Sequence, residues 1–171
     1  WIIFLQGKAN SSMKNSQSKA NVVAKGEYVG GLVGFGSSIS KSYAEGAVKS
    51  DSSYVGGIAG RTGGTVDSVY HIGGNVSGFG WVGGLVGYGA SITNSFAKGI
   101  VTSDSSYAGG LAGSVSGKIR NSYAVAKYVK GQNVVGGLAG YAGSIGASYF
   151  DGDSVTGVYQ IGGLAGSVGG I

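Results

Sequence analysis

Few residues in this sequence have the types and spacing that catalysis or metal binding requires. The single His, His71, leaves no second imidazole for a zinc site or a proton relay, and without Cys there is no thiolate ligand and no disulfide. His71 occupies a position that other copies of an internal repeat fill with Ser18, Ala44, Ala97, Ala124 and Phe150. We therefore predict that His71 is a surface variant of the repeat and not a catalytic base.

Asp151 and Asp153, separated by Gly152, resemble the beginning of a calcium-binding loop. Calcium takes about six to eight oxygen ligands, and no neighbouring Asp or Glu in the sequence completes such a set. The pair is predicted to form a polar turn. We expect neither a metal site nor a cofactor.

The acidic residues are too scattered to suggest a polysaccharide lyase or hydrolase, which needs carboxylates or bases clustered on one face. All but two fall at different positions of the repeat: Glu27, Glu45, Asp51, Asp67, Asp104, Asp151 and Asp153. Glu45 and Asp151 share a position but lie four repeats apart. The glycine-rich segments lack the Gly-Lys-Ser/Thr of a phosphate-binding loop. No catalytic residues are predicted, and the chain is not expected to be an enzyme.

Composition indicates an ordered domain with a substantial core. The 171 residues include 38 Gly, 11 Tyr, 5 Phe and 2 Trp, and 42% are hydrophobic while 11% are charged. Disordered chains show the opposite balance. The net charge of +5 comes from lysines that form no stripe on the repeat, so we expect no nucleic-acid partner. No apolar run approaches the ~18 residues of a membrane helix, so no membrane span is predicted.

An internal repeat organises the whole chain. An aromatic-Val/Ala-Gly-Gly-Leu/Ile-Val/Ala-Gly motif recurs, and the first glycine of each pair stands at 30, 56, 83, 109, 136 and 162, in steps of 26, 27, 26, 27 and 26. Residues 1–26 form a degenerate first copy. Fixed periods of this length indicate a solenoid, whereas propeller blades need about 40 residues or more. Helices are disfavoured because each interior Gly costs about 1 kcal/mol relative to Ala.

Alignment of the copies yields columns of like residues that predict the core. The core columns contain Leu32, Ile58, Leu85, Leu111, Leu138 and Leu164 in one, and Ile39, Val66, Ile92, Ile119 and Ile145 in another. A third column holds Val22, Val48, Val76, Val101, Val129 and Val155. Three aliphatic positions per repeat fit three short strands per turn. The predicted fold is an all-β β-solenoid of about six and a half turns with a ~26.5-residue repeat, forming one domain over residues 1–171.

Two sequence features have local interpretations within this fold. The glycine pair either adopts positive φ at a corner or leaves space where backbones crowd together, and we favour crowding because strand-forming residues flank it. Segments such as 50–53, Ser-Asp-Ser-Ser, have turn chemistry and are predicted to form corners.

These residues resemble the GLUG-motif repeats of bacterial surface and secreted proteins. The resemblance rests on copies such as Gly31-Leu32-Val33-Gly34 and Gly84-Leu85-Val86-Gly87, with a downstream Ser-Tyr/Phe-Ala as in Ser42-Tyr43-Ala44. It covers the chain from Glu27 onward and implies an extracellular or cell-surface location, often in adhesin-like proteins or beside a protease. It brings no catalytic residue, because the motif is structural.

A column of aromatic residues is the best candidate for a binding surface: Tyr43, Tyr70, Phe96, Tyr123 and Tyr149. If outward, the rings could stack on glycans or protein partners. Tyr43 and Ile39 share strand parity, which places the ring inside, but Lys41 between them has the same parity. A bend near Lys41 reconciles the two, and we predict that the aromatic residues belong to the core.

The leading functional hypothesis is a non-enzymatic structural or adhesive module. Alternatives are an ice-binding solenoid, disfavoured because Thr forms no repeated column, a glycan-binding solenoid reaching a glycan or host surface, and a spacer region of a larger secreted enzyme. The two ends of the chain are apolar and lack capping charges, which predicts head-to-tail self-association or continuation into flanking domains. The predicted assembly residues are Trp1, Ile3, Leu5, Leu164 and Ile171.

Overall fold

The structure is a computed structural model that describes residues 12–169. Every strand pairs in parallel with its equivalent one repeat away, as in Met13 with Ile39 and Ile39 with Val66. This pairing stacks about six turns into an all-β solenoid with a spacing of about 26 residues, which confirms the predicted fold class. The predicted assembly residues Trp1, Ile3, Leu5 and Ile171 lie outside the described residues.

The strands follow one another coil by coil. The first two coils contain β1 (Met13–Lys14), β2 (Gln17–Ser18), β3 (Val22–Ala24), β4 (Val29–Gly30), β5 (Val33–Gly36), β6 (Ile39–Glu45) and β7 (Val48–Ser50). The third and fourth contain β8 (Val55–Gly56), β9 (Ala59–Thr62), β10 (Thr65–Ile72), β11 (Val76–Gly78), β12 (Val82–Gly83), β13 (Val86–Gly89), β14 (Ser91–Thr93), β15 (Phe96–Lys98) and β16 (Val101–Ser103).

The later coils repeat this plan. They contain β17 (Ser106–Gly109), β18 (Ala112–Arg120), β19 (Tyr123–Val125), β20 (Tyr128–Lys130), β21 (Asn133–Gly136), β22 (Ala139–Gly146), β23 (Tyr149–Asp151), β24 (Ser154–Thr156), β25 (Tyr159–Gly162) and β26 (Ala165–Val168). Across residues 12–169 the strands form one 14-stranded and two 6-stranded sheets. A typical coil has four strand segments, whereas three were predicted from the aliphatic columns. The additional segment is the short strand, such as Val29–Gly30, that begins the coil.

Two separate cores run along the solenoid. The larger contains the Leu and Ile columns, including Ile58, Leu85 and Ile119, and the smaller contains a Val column that includes Val48 and Val101. Backbone bonds stack the Leu column directly: Leu85 N–H donates to the Leu111 carbonyl at 2.7 Å. Identical residues therefore contact one another along the axis, and each aliphatic column becomes a continuous apolar strip.

The glycine pair lies where backbones converge, which confirms the crowding interpretation. A Cβ on Gly83 would lie 2.0 Å from the Val86 carbonyl oxygen, and one on Gly84 would lie 2.0 Å from the Gly110 carbonyl oxygen in the next coil. Neither glycine has positive φ. Since the obstructing atoms are backbone, no rotamer change can make room for a side chain there.

Candidate functional site

The predicted aromatic column forms a stack of parallel rings on the outside of the solenoid. Successive rings of this column, which we call the first ladder, have centroids 4.9–5.2 Å apart and planes within 4° of parallel. Four of the rings are half-buried, and Tyr149 in a late coil is 54% exposed. The prediction that these aromatic residues belong to the core is wrong.

A left-handed backbone conformation explains why the rings point outward. Lys41 has a φ of 48°, and the equivalent residue of each described coil also has positive φ: Asn15, Ser68, Asn94, Asn121 and Ala147. The bend expected near Lys41 is therefore present, but it reverses the strand parity after it. Ser42 and Ala44 consequently point inward, and Tyr43 between them points outward.

The inward serine that follows this bend replaces backbone bonds that the bend disrupts. The hydroxyl of Ser122 accepts the N–H of Ser95 at 3.2 Å and donates to the Arg120 carbonyl at 2.7 Å. Ser95 makes the same pair of contacts, with the N–H of Val69 and the Thr93 carbonyl. These buried hydroxyls satisfy polar groups that water cannot reach, so the Ser of the Ser-Tyr/Phe-Ala segment is structural.

A second ladder is formed by the aromatic residues that stand two positions before each glycine pair in the sequence. Its rings, Tyr28, Tyr54, Trp81 and Tyr107, have centroids 4.9–5.1 Å apart and planes within 17° of parallel. All four residues have positive φ, between 48° and 62°, and all are half-buried. These residues occupy the aromatic position of the repeat motif. The regular recurrence of that position is the sequence feature from which a second surface column could have been predicted.

A third column flanks the second ladder and is irregular in composition: Phe35, Arg61, Tyr88, Ser114, Tyr141 and Ser167. Its rings contact the ladder edge to face, with Tyr88 6.5 Å from Tyr54 and planes at 79°. The guanidinium of Arg61 lies between two rungs of this column, 5.7 Å from the Phe35 centroid and 5.4 Å from that of Tyr88.

Where Ser114 interrupts the aromatic rungs, the surface is indented. The resulting groove, the Trp81 groove, has a volume of about 280 Å³. Its lining consists of Trp81, Tyr88, Tyr107, Ser114, Ser116 and Tyr141. Ser114 is 5% exposed and forms the floor, while the four rings are half-buried and form the walls. The lining combines aromatic rings with hydroxyls and contains no charged side chain.

His71 is buried, so its prediction as a surface variant is wrong. It is 1% exposed, and its ring packs against Gly57, where an added Cβ would lie 2.4 Å from the ring. Nε2–H donates to the Gly46 carbonyl at 2.9 Å, and among the described residues Nδ1 has no partner. Burial lowers the pKa of His71 below its usual value, against a smaller raising effect of the Gly46 carbonyl.

The carboxylates lie apart on the surface. Asp67 accepts hydrogen bonds from the Thr93 hydroxyl at 2.6 Å and the Asn94 amide at 2.8 Å, and these bonds lower its pKa. Glu45 pairs with Lys19 at 3.6 Å on an exposed surface. Asp151 and Asp153 are exposed, and within residues 12–169 no group of three or more His, Cys, Asp or Glu side chains is placed to hold a metal ion.

The residues predicted for the core differ in burial according to their position along the axis. Those of the central coils are at most 1% exposed: Ile39, Ile58, Val66, Leu85, Ile92, Leu111, Ile119 and Leu138. Leu32 and Ile145 are half-buried against the same core. Leu164, assigned both to the core and to an assembly end, is 38% exposed because it lies in the last described coil.

The part of the chain that the structure describes has no helix long and apolar enough to cross a membrane. Comparison with protein-family models, curated proteins and solved structures gave no match for this chain. Assignment to the GLUG-motif repeats therefore rests on the sequence motifs and stays a prediction.

Proposed function

We propose that this chain is a non-enzymatic structural and adhesive module of an extracellular or cell-surface protein. The observation that supports a structural role is the in-register stacking of like residues at every coil, in both cores and both ladders. A solenoid of this kind lengthens by adding coils without changing its cross-section. Such a module is suited to act as a stalk that holds a binding surface away from its anchor. The extracellular location is an implication of the GLUG resemblance.

The stalk role can be tested by lengthening the solenoid with its own two-coil unit. Residues 54–106 span two coils, and a second copy inserted after Ser106 rejoins Tyr107 in the phase that the repeat requires. With coils about 4.8 Å apart, the insertion should lengthen the particle by about 10 Å. Small-angle X-ray scattering should show this increase with the cross-sectional radius unchanged. A wider or unfolded particle would contradict the stalk role.

The proposal also includes pairing of the last described coil with further chain. Strand β26 pairs on one side with β22, and the apolar residues Ile161, Leu164 and Val168 beside this edge are 38–54% exposed. An uncharged strand edge next to apolar side chains favours addition of another strand. The expected occupant is the first coil of a second copy, in a head-to-tail contact that does not close.

Light scattering across a concentration series tests this end-to-end contact. Leu164→Lys places a charge at the edge and should abolish any concentration-dependent growth in particle size. Phe79→Lys is the matched control, because Phe79 is 53% exposed in a central coil and away from the edge. A parent chain that stays monomeric at high concentration would remove self-association and leave the stalk role in place.

A further inference from the structure

The Trp81 groove exists because one coil lacks an aromatic rung that its neighbours have. Tyr88 in the coil before and Tyr141 in the coil after both carry rings, whereas Ser114 between them does not. The rings of Trp81 and Tyr107, stacked 5.1 Å apart, form the lateral wall of the space. The missing rung leaves a space one side chain deep, bordered by aromatic side chains of three coils.

The same column shows what such a space accommodates when it is filled. Two coils earlier, the Arg61 side chain lies between Phe35 and Tyr88 and brings a flat group within 5.4–5.7 Å of both ring centroids. Ser114 supplies no group of this kind. The space beside Ser114 that corresponds to the Arg61 side chain is therefore available to an external ligand with a flat face of similar size.

Charge distinguishes among the ligands that could occupy the space. Arg61 shows that a cation can lie against rings of this column, but Arg61 is tethered to the chain. A free cation would have to approach a chain of net charge +5, and the six lining residues are uncharged and offer it no carboxylate. The lining supplies the aromatic rings of Tyr88 and Tyr141 on either side of the missing rung, which accept apolar C–H surface, together with the hydroxyls of Ser114 and Ser116, which exchange hydrogen bonds. A ligand with one apolar face and a hydroxyl-bearing rim matches both features.

We propose that the Trp81 groove binds a pyranose ring of a neutral glycan. The pyranose occupies the missing rung between the rings of Tyr88 and Tyr141, with its C–H surface against these rings, and directs hydroxyls toward Ser114 and Ser116. Both faces of Trp81 are covered by Tyr54 and Tyr107, so Trp81 borders the sugar with its ring edge. At about 280 Å³ the groove is slightly smaller than typical small-molecule pockets, which start at about 300 Å³, so it takes a single sugar residue of a longer chain. The inference rests on the adhesive part of the proposed function and is independent of the stalk and of end-to-end pairing.

Intrinsic fluorescence provides a direct readout at the groove. The chain has 2 Trp, so Trp1→Phe leaves Trp81 as the single indole. This variant is titrated with glucose, galactose and N-acetylglucosamine and is then applied to an array of neutral oligosaccharides. Binding should change the emission of Trp81 saturably, and at least one glycan on the array should be retained.

Two matched variants locate the site. Ser114→Tyr restores the missing rung with a residue that Tyr88 and Tyr141 show to be tolerated in this column, and it should weaken glycan binding at least tenfold. Tyr70→Ala removes a half-buried ring of the first ladder, which does not line the groove, and should leave glycan binding unchanged. Thermal melting of each variant shows whether the fold is retained. Ser114→Phe serves as a second blocking variant if Ser114→Tyr melts early.

The outcomes separate the groove from the wider proposal. Glycan binding that Ser114→Tyr leaves intact would overturn the groove assignment while keeping the adhesive function. Retention of no neutral glycan, with Trp81 emission unchanged, would overturn both the groove assignment and its ligand class, whereas the stalk role depends on the scattering experiment alone. Loss of binding in Ser114→Tyr together with retention in Tyr70→Ala is the result that supports the inference.

Discussion

Addition of one methyl group should have opposite effects at two glycines of this solenoid. In Gly84→Ala the new Cβ would lie 2.0 Å from the Gly110 carbonyl oxygen and 3.0 Å from the Ala97 Cβ. Real Cβ atoms do not approach a backbone oxygen so closely, so the two coils must separate by more than 1 Å. In Gly63→Ala nothing lies within 4 Å of the new Cβ, and the φ of Gly63 is not in the left-handed region.

The magnitudes follow from those contacts. Overpacking a filled core costs about 1–3 kcal/mol, and separating the coils also lengthens backbone bonds such as Gly84 N–H to the Gly109 carbonyl, now 3.2 Å. We expect Gly84→Ala to lower the free energy of unfolding by about 3 kcal/mol or more. Gly63→Ala should raise it by about 0.4–1 kcal/mol, because Ala restricts the unfolded chain.

Urea unfolding followed by circular dichroism measures both changes. Gly163→Ala is a control matched to the motif: Gly163 has the same position in the glycine pair as Gly84, but nothing lies within 4 Å of its added Cβ. Like Gly63→Ala, it meets no clash and no left-handed φ, so it should raise the free energy of unfolding by about 0.4–1 kcal/mol. Equal losses for Gly84→Ala and Gly163→Ala would refute the crowding argument, since only the coil stacked beyond the glycine differs between them.

Three further measurements address the buried polar groups and the core. Ser122→Ala strands the buried N–H of Ser95 and should cost about 1–3 kcal/mol in urea unfolding, whereas exposed Ser116→Ala should cost almost nothing; similar losses would contradict the structural role of the hydroxyl. Leu85→Ala should cost about 2–5 kcal/mol, and Leu164→Ala, at a site already 38% exposed, should cost clearly less; calorimetric melting that ranks them in reverse would be inconsistent with the two burials. Burial lowers the pKa of His71 in the folded chain, so as the pH falls the unfolded chain takes up this proton first. The contribution of His71 to stability is therefore full above pH ~6.5 and is lost as the pH drops below that value. His71→Ala should flatten this dependence of melting temperature on pH, and an unchanged dependence would mean that His71 is not the group responsible.

The columns of like residues could be read from the sequence because parallel stacking repeats the same environment at each coil. Met13, Ile39 and Val66 are aligned by period alone, and the structure pairs them in that register. The crowding at the glycine pair was also predictable, since strand-forming residues flank it. In each case the relevant contact joins equivalent positions of neighbouring repeats, so the period is sufficient information.

Orientation within a coil depended on the tertiary structure. The bend at Lys41 was expected from the conflict of parity, but the sequence does not state that a left-handed residue there turns Tyr43 outward. The burial of His71 has the same origin, because the parity that places Ala44 inside also places His71 inside. Alternation of side chains between the two faces of a strand is a local rule. One residue of positive φ exchanges the faces on which the following residues of that strand lie.

The Trp81 groove is a property of the assembled coils. Its wall residue Trp81 and its floor residue Ser114 belong to different coils and to different columns of the repeat. The period aligns residues within one column, but it does not specify which columns lie side by side on the surface. That adjacency arises where the chain bends after Gly83 and returns past Trp81, since a Cβ on Gly87 would lie 2.7 Å from the Trp81 carbonyl oxygen. The second ladder consequently lies against Tyr88. The repeat and its core were therefore determined by the sequence pattern, whereas the candidate binding surface was decided by how each coil folds back on itself.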